Sequence, residues 1–325
     1  MRLVRPFSLV ALLAVLAIAA SSTTLAAPRG YYRSPAIHGD TVVFVAEGDL
    51  WKVSVDGGRA TRLTTLPGAE GSPAFSPDGS KIAFTAGYEG PGEVYVMPVD
   101  GGRPVRLTYF ATPRTDVVGW TPGGQVLVGT TVFSTRPDTQ LLRLDPDRPG
   151  ASEADLVPLA QAADGSYGDD GTLYFTRLRF QGSHTKRYQG GTAQNLWRFA
   201  DGDPEATPLT ADYPGTSREP MWWDGRVVFA SDRDGIMNLW SMAPDGTDLR
   251  QHTRHEVFDV LCPSQKGGRV VYQHGADLRI LDLATDEDRE IPVTLDSDLD
   301  HTRENWVDDP MEWLTAAHVS HDGSH

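Results

Sequence analysis

The sequence is poor in cysteine and in positive charge. Its 325 residues include one cysteine, Cys262, so no internal disulfide can form and no paired-cysteine zinc pattern exists. Cys262 lies in an apolar stretch that predicts a buried strand, and we expect an inert core thiol. Acidic residues (44) outnumber basic ones (29), and the net charge is −15. Because nucleic-acid binders carry basic patches, this balance argues against nucleic acid as a partner.

Long apolar runs are also missing, except near the N-terminus. The run from Phe7 to Ala20 is shorter than the roughly 20 residues of a membrane-spanning helix. Arg2 and Arg5 precede it and small residues follow, which is the order found in a secretory signal. We predict a signal peptide over residues 1–27 and a periplasmic or extracellular protein. An uncleaved anchor and a cytoplasmic location remain the alternatives.

Motifs for catalysis and metal binding are absent from the sequence. It contains no Gly-x-Ser-x-Gly elbow, no P-loop and no His-Glu-x-x-His. Asp296, Asp298 and Asp300 have the spacing of a calcium loop, but His301 occupies the position of its required glycine. The sequence therefore predicts no catalytic residue, metal or cofactor in this chain.

Glycine (33) and proline (23) are frequent, and they punctuate an internal repeat. The clearest copy runs from Ser72 to Thr108 and contains two tight-turn signals, Asp78-Gly79 and Asp100-Gly101. Short β-prone segments flank both turns. One copy thus encodes four antiparallel strands.

Six copies occupy residues 34–293, at about 43 residues each, which is the length of a propeller blade. We predict an all-β fold, a six-bladed β-propeller of four-stranded antiparallel blades. The first copy begins with its first strand and the last ends with its fourth. We therefore expect a ring closed by packing alone, without strand exchange. Aromatic residues recur on the third strand, where we expect packing between blades: Trp51, Tyr95, Trp197 and Trp240.

Two further segments follow the predicted propeller. Residues 294–315 are acidic and predict a linker. Residues 316–325 include His-Asp-Gly-Ser at 321–324, which matches the Pro-Asp-Gly-Ser turn at 77–80. This match predicts the start of a second propeller in a truncated sequence.

The repeat unit Ser-Pro-Ala-Phe-Ser-Pro-Asp-Gly, which begins at Ser72, resembles the propeller repeats of TolB and of several peptidases. A narrower resemblance, to the first propeller of tricorn-type proteases (S41 serine peptidases), covers nearly the whole chain after the signal. It is carried by Ile37–Asp40, Asp49–Trp51, Leu107–Phe110, Asp116–Gly119, Tyr188–Thr192 and Asp245–Thr253.

The resemblance implies a function without catalysis in this chain. In tricorn-type proteases a six-bladed propeller precedes a seven-bladed one, a PDZ domain and the protease core. The propellers guide peptides to and from the active site. We expect a substrate- or product-channelling propeller of a secreted tricorn-like serine protease. Its partners would be peptides and the missing domains, with a homo-oligomer left open. The alternatives are a stand-alone TolB-like interaction propeller and the front propeller of a prolyl-oligopeptidase-like enzyme.

The resemblance also indicates where a peptide would bind. A paired-arginine element of the family holds the peptide C-terminal carboxylate, and the matching loop here, 111–115, is shorter and has one arginine. A second, long loop at 177–194 concentrates basic and aromatic residues, and guanidinium groups pair well with carboxylates. A solvent-exposed arginine and an inter-domain contact are the competing interpretations of these loops. The candidate substrate-binding residues are Arg114, Lys186, Arg187 and Tyr188.

Overall fold

The computed structural model describes residues 30–112, 114–136, 138–150, 155–179, 187–298, 304 and 306–324. The predicted signal peptide and Lys186 lie outside these ranges. The described residues divide into a large unit that ends at Leu295 and a small one that begins at Asp296.

The large unit is the predicted six-bladed propeller, because strands β1 to β24 form six sheets of four consecutive antiparallel strands. The first strands are β1 (Arg33–His38), β5 (Glu70–Phe75), β9 (Thr115–Trp120), β13 (Asp164–Tyr167), β17 (Ser217–Trp223) and β21 (Val260–Lys266). The second strands are β2 (Thr41–Ala46), β6 (Lys81–Ala86), β10 (Val126–Thr130), β14 (Leu173–Thr176), β18 (Arg226–Ser231) and β22 (Arg269–His274).

In five of the six blades the fourth, outermost strand is the shortest. The third strands are β3 (Asp49–Ser54), β7 (Glu93–Pro98), β11 (Gln140–Leu144), β15 (Leu196–Phe199), β19 (Asn238–Met242) and β23 (Asp277–Asp282). The fourth strands are β4 (Gly57–Arg62), β8 (Val105–Arg106), β12 (Asp155–Leu156), β16 (Thr207–Pro208), β20 (Arg250–Gln251) and β24 (Glu287–Glu290).

The hydrophobic core lies between the blades. Six clusters of buried side chains each join two neighbouring blades, and one of them joins the first blade to the sixth. The predicted aromatic residues of the third strands take part: Trp51 and Tyr95 are buried in these clusters, and Trp197 and Trp240 pack against them. A single sheet cannot cover its own apolar faces. The blades form a ring because each blade then buries these faces against its two neighbours.

A buried threonine after the fourth strand fastens it to the third strand in four blades. The hydroxyl oxygens of Thr64, Thr108, Thr210 and Thr253 accept hydrogen bonds from backbone N–H groups of the third strand at 2.8–2.9 Å. These N–H groups are buried away from water, and the threonine hydroxyl supplies the hydrogen bond that water would otherwise make. This recurring threonine of the repeat thus has a structural role.

Ring closure differs in one detail from the expectation. Each four-stranded blade is contiguous in sequence, so no strand is exchanged within a blade. Packing alone, however, does not close the ring, because a short strand, β25 (Val293–Thr294), pairs in parallel with β4 of the first blade. The N–H of Gly58 donates to the carbonyl of Pro292 at 2.8 Å. This correction has a simple cause, since the chain leaving the sixth blade passes the unpaired edge of the first.

Gly57 makes this approach possible. Its φ of 85° is in the left-handed region, and a Cβ there would overlap the carbonyl oxygen and ring of Pro292. Gly58 has a φ of 103°, but a Cβ there would contact nothing. The first of the two glycines is therefore required by both conformation and space, and the second by conformation only.

The small unit contains a 3-10 helix, Pro310–Trp313, whose first turn is capped by Asp309. Its turn at residues 320–324 has the hydrogen bonds of the turn at residues 76–80: Ser320 donates to Asp322 at 2.6 Å, as Ser76 does to Asp78. A second propeller beginning here stays a prediction. Among the described residues, no helix has the length and apolar character needed to span a membrane.

Candidate functional site

The strand order gives the propeller two different faces. The hairpins that join first to second and third to fourth strands lie on one face, which we call the hairpin face. The connections that join second to third strands, and each blade to the next, lie on the other, which we call the loop face. The central channel runs between them.

The connections on these faces differ strongly in charge. Among the described residues, the hairpin-face connections hold fifteen acidic side chains and two arginines, whereas the loop-face connections hold eight acidic side chains and seven arginines. The acidic residues of the hairpin face are Asp40, Asp56, Asp78, Asp100, Asp145, Asp147, Asp169, Asp170, Asp201, Asp203, Glu205, Asp224, Asp245, Asp248 and Asp286. The loop-face arginines are Arg114, Arg136, Arg177, Arg179, Arg187, Arg233 and Arg254. An anionic group of a ligand is therefore more compatible with the loop face.

Local hydrogen bonds keep several hairpin-face carboxylates charged. The hydroxyl of Ser76 donates to Asp78 at 2.6 Å, and with the N–H and hydroxyl of Ser80 it lowers the pKa of Asp78 to about 2. Thr172 lowers the pKa of Asp170 through its backbone N–H, and Thr247 lowers that of Asp245 mainly through its hydroxyl. The negative charge of this face is thus supported by the turns themselves.

Three of the four predicted substrate-binding residues lie on the loop face. Arg114 is exposed between the second and third blades. Arg187 is exposed, and its Nε donates to the carbonyl of Gly235 in the fifth blade at 2.7 Å. The hydroxyl of Tyr188 accepts a hydrogen bond from Thr192 at 3.0 Å, so its side chain is turned back onto its own loop.

Arg187 contributes to a shallow cavity of about 310 Å³ between the fourth and fifth blades. Arg254 and His255 line it too, together with Asp234 and Glu256. Loss of water contact and the neighbouring His274 lower the pKa of His255 to about 4, so this imidazole is neutral at pH 7. Arg114 lines neither this cavity nor the central channel, and the structure does not bring it to one pocket with Arg187. Sequence reasoning missed Arg254, although it follows the recurring buried threonine.

The central channel, of about 960 Å³, is lined by the first strands of all six blades. It extends from His38 and Asp224 near the hairpin face to Asp164 and Gln194 near the loop face.

A β-bulge recurs in the channel wall. The first strands of blades one, two, five and six each have one, and the residue before a proline adopts a left-handed φ between 46° and 55°. These residues are Ser34, Ser72, Glu219 and Cys262. The expectation that Cys262 is a core thiol is wrong. Cys262 is exposed to the channel, because its strand is the innermost of the blade.

The thiol of Cys262 is nevertheless a poor nucleophile at neutral pH. Protein surrounds the exposed sulphur on several sides, and this desolvation, together with the Glu219 carboxylate, raises the pKa of the thiol to about 11. The hydroxyl of Ser34 donates to the sulphur at 3.8 Å. Since the thiolate is the reactive form, low reactivity of this thiol stays a prediction, now for a different reason.

Charged residues cluster in the channel wall toward the loop face. Asp164 accepts from the backbone N–H of Thr176 at 3.1 Å and from that of Glu219 at 3.2 Å. Arg218 is buried, and its Nε lies 3.6 Å from Oε2 of Glu219. Desolvation raises the pKa of both carboxyl groups, and Arg218 opposes that rise in each.

Two uncharged residues extend this cluster. Gln194 is 4% exposed, its Nε2 donates to the carbonyl of Leu178 at 2.9 Å, and its backbone carbonyl accepts from Ser217 at 2.8 Å. Thr139 is 5% exposed, and its backbone carbonyl accepts from Ala162. Within the described ranges, Gln194 Oε1 and Thr139 Oγ1 have no hydrogen-bond partner. Sequence reasoning missed this cluster, although Arg218-Glu219 replaces Gly71-Ser72 at the bulge of the repeat.

A family model, the tricorn protease N-terminal beta propeller domain, matches residues 29–287. The chain belongs to this family. Tricorn protease homolog 1 of Streptomyces coelicolor is 35% identical over 305 residues, which are 92% of this chain and 28% of the relative. A putative tricorn-like protease N-terminal subunit of Sulfurisphaera tokodaii is 31% identical over 111 residues, covering 34% of this chain and 57% of that protein.

Solved structures agree with the family. The crystal structure of the tricorn protease aligns with a TM-score of 0.73 at 26% identity and covers 81% of this chain and 26% of the tricorn chain. TolB from Acinetobacter baumannii aligns at 0.50 with 22% identity over 66% of this chain and 52% of the TolB chain, a likeness of fold alone. The chain spans about a quarter of the length of the tricorn protease homologues it matches.

Proposed function

We propose that this chain is the propeller through which peptides pass to or from the active site of a tricorn-like serine protease. The observation that carries the proposal is the channel of about 960 Å³, which is lined by the first strands of all six blades. The chain that forms it belongs to the tricorn N-terminal propeller family. The role is one of passage because no catalytic motif occurs in the sequence. The partners would be peptides and the protease domains, which in this proposal lie outside the chain.

The test is a narrowed channel in the full-length protease. Gly119 lines the channel, and a Cβ there would contact nothing, so Gly119→Trp adds an indole at a wall position where a side chain can start without a clash. Gly123, on the exposed hairpin of the same blade, provides the control Gly123→Trp. We expect Gly119→Trp to slow the turnover of peptides of ten or more residues severalfold and Gly123→Trp to leave it unchanged. Equal turnover in both variants would reject passage through this channel.

We further propose that the protein is exported, on the basis of the order of basic, apolar and small residues in 1–27. N-terminal sequencing of protein recovered from the native host should start at Ala27 or Pro28. An intact Met1 on cytosolic protein would support the cytoplasmic alternative.

A further inference from the structure

Among the described residues, the charged cluster in the channel wall contains more negative than positive groups. Two carboxyl groups, those of Asp164 and Glu219, face one guanidinium, that of Arg218. The next arginine along the channel, Arg179, pairs with Asp116 at 2.7 Å. With both carboxyl groups ionised the cluster has a net charge of −1, so a monovalent cation would balance it.

The two carboxyl groups are not equivalent. The oxygens of Asp164 are occupied by Thr176 and by the N–H of Glu219, and Thr176 also donates through its hydroxyl. Glu219 Oε2, in contrast, accepts no hydrogen bond among the described residues and lies 3.6 Å from Nε of Arg218. The backbone N–H of Cys262 is a further polar neighbour of this carboxyl group. A charged carboxylate oxygen in such a wall is costly unless a donor reaches it.

The neighbouring polar atoms also favour a ligand that donates hydrogen bonds. Gln194 Oε1 is an acceptor whose orientation is set by the Nε2 bond to Leu178, and Thr139 Oγ1 can accept or donate. Both residues are more than nine-tenths buried and line the same channel. Three oxygens with acceptor capacity therefore lie in the part of the wall formed by the third, fourth and fifth blades.

A primary ammonium group matches this arrangement. It has one positive charge, three N–H donors and no acceptor. A divalent metal ion matches less well, because within the described residues no three side chains of His, Cys, Asp or Glu come together to ligate one.

We propose that Glu219, Gln194 and Thr139, with Asp164 and Arg218 as their support, form a binding site for a primary ammonium group in the central channel. Peptides supply this group as the N-terminal α-ammonium or as a lysine side chain. The identity of the ligand as a peptide rests on the proposed function. An N-terminal α-ammonium group bound here would be the opposite end of a peptide from the C-terminal carboxylate that we predict Arg114 and Arg187 to bind.

The experiment is calorimetric titration of the full chain with three short peptides at pH 7. The first is trialanine amide, which has only an α-ammonium group. The second is N-acetyl-lysine amide, which has only a side-chain ammonium group. The third is N-acetyl-trialanine, which has only a C-terminal carboxylate. We expect one or both of the ammonium ligands to bind, and the better one identifies the source.

The variants are Glu219→Gln, which keeps the shape and removes the charge, and Asp224→Asn, a matched change at the other end of the channel. Glu219→Gln should weaken ammonium binding at least about tenfold, because a charge-assisted hydrogen bond is lost, and Asp224→Asn should not change it. If circular dichroism shows that Glu219→Gln does not fold, Gln194→Met tests the same site, with a smaller expected loss of ammonium binding. Ammonium binding that is unchanged in the folded variant would overturn the proposal.

The third peptide separates this proposal from the proposed function. Binding of N-acetyl-trialanine without binding of either ammonium ligand would reject the ammonium site and leave a peptide-binding propeller. If none of the three peptides binds, both proposals lose their support.

Discussion

The hairpin face and the loop face are built from the same six blades, yet their connections carry different charges. On the hairpin face, short turns need Asp and Gly for their own geometry, and the described part of its connections holds fifteen acidic side chains. On the loop face the connections are longer, and acidic and basic side chains nearly balance. The charge of the hairpin face therefore follows from turn chemistry. The charge of the loop face is not set by turn geometry and is free to serve binding.

The largest expected effect concerns Cys262, between the two faces. Its pKa of about 11 predicts that alkylation by iodoacetamide accelerates about tenfold per pH unit from pH 7 to pH 10, because the thiolate fraction rises accordingly. Free N-acetylcysteine, with a pKa near 8.5, should level off within this range. Glu219→Gln, near the loop face, should lower the midpoint, whereas Asp224→Asn, near the hairpin face, should not. A rate that is already maximal at pH 8 would contradict the assignment.

The next largest effect, on stability, is expected where the ring closes, in the β3–β4 hairpin of the hairpin face. Gly57→Ala adds a Cβ at a left-handed φ and against Pro292, and we expect a loss of about 2–4 kcal/mol in the free energy of unfolding. Gly58→Ala meets no atom, and only the conformational cost of about 1–2 kcal/mol remains. Urea unfolding of both variants measures the difference. Equal losses would show that the contact with Pro292 adds nothing to closure.

A smaller loss is expected on the loop face from Thr253→Val. This nearly isosteric change removes the oxygen that accepts from the N–H of Leu239 at 2.8 Å and donates to Asn238. Because both partners are buried, the free energy of unfolding should fall by about 1–3 kcal/mol. Thr61→Val on the exposed fourth strand of the first blade is the control and should be nearly neutral. A loss in the control as large as that in Thr253→Val would indicate that the shape change, and not the hydrogen bonds, is responsible.

The smallest effect is expected at the exposed arginines of the loop face. Arg187→Ala and Arg114→Ala should each slow the processing of peptides with a free C-terminus by at most about fivefold in the full-length protease, since exposed ion pairs are weak. Peptides with amidated C-termini should be unaffected. If both kinds of peptide slow equally, these residues do not bind the carboxylate, and the loop is better interpreted as a docking surface.

The repeat allowed the blades to be predicted, because its Asp-Gly turns and β-prone segments recur at a regular interval. The latch, β25, could not be predicted, since two residues have no detectable period and their partner is more than 200 positions away. The exposure of Cys262 was missed because an apolar pattern does not distinguish an innermost strand from a buried one. Arg114 and Arg187 were considered together although they stand on different blades, and sequence does not specify the direction of long loops. The channel cluster was detectable only as charged residues at a bulge that holds serine in the first two blades.

The short parallel latch also has a topological consequence. The hydroxyl of Tyr32 donates to the carbonyl of Val293 at 3.3 Å, so the two ends of the ring lie side by side. Joining them by a short linker would turn the propeller into a circle without a first or last blade. New ends could then be opened in an exposed connection of any blade, and such circular permutants would keep all six interblade cores.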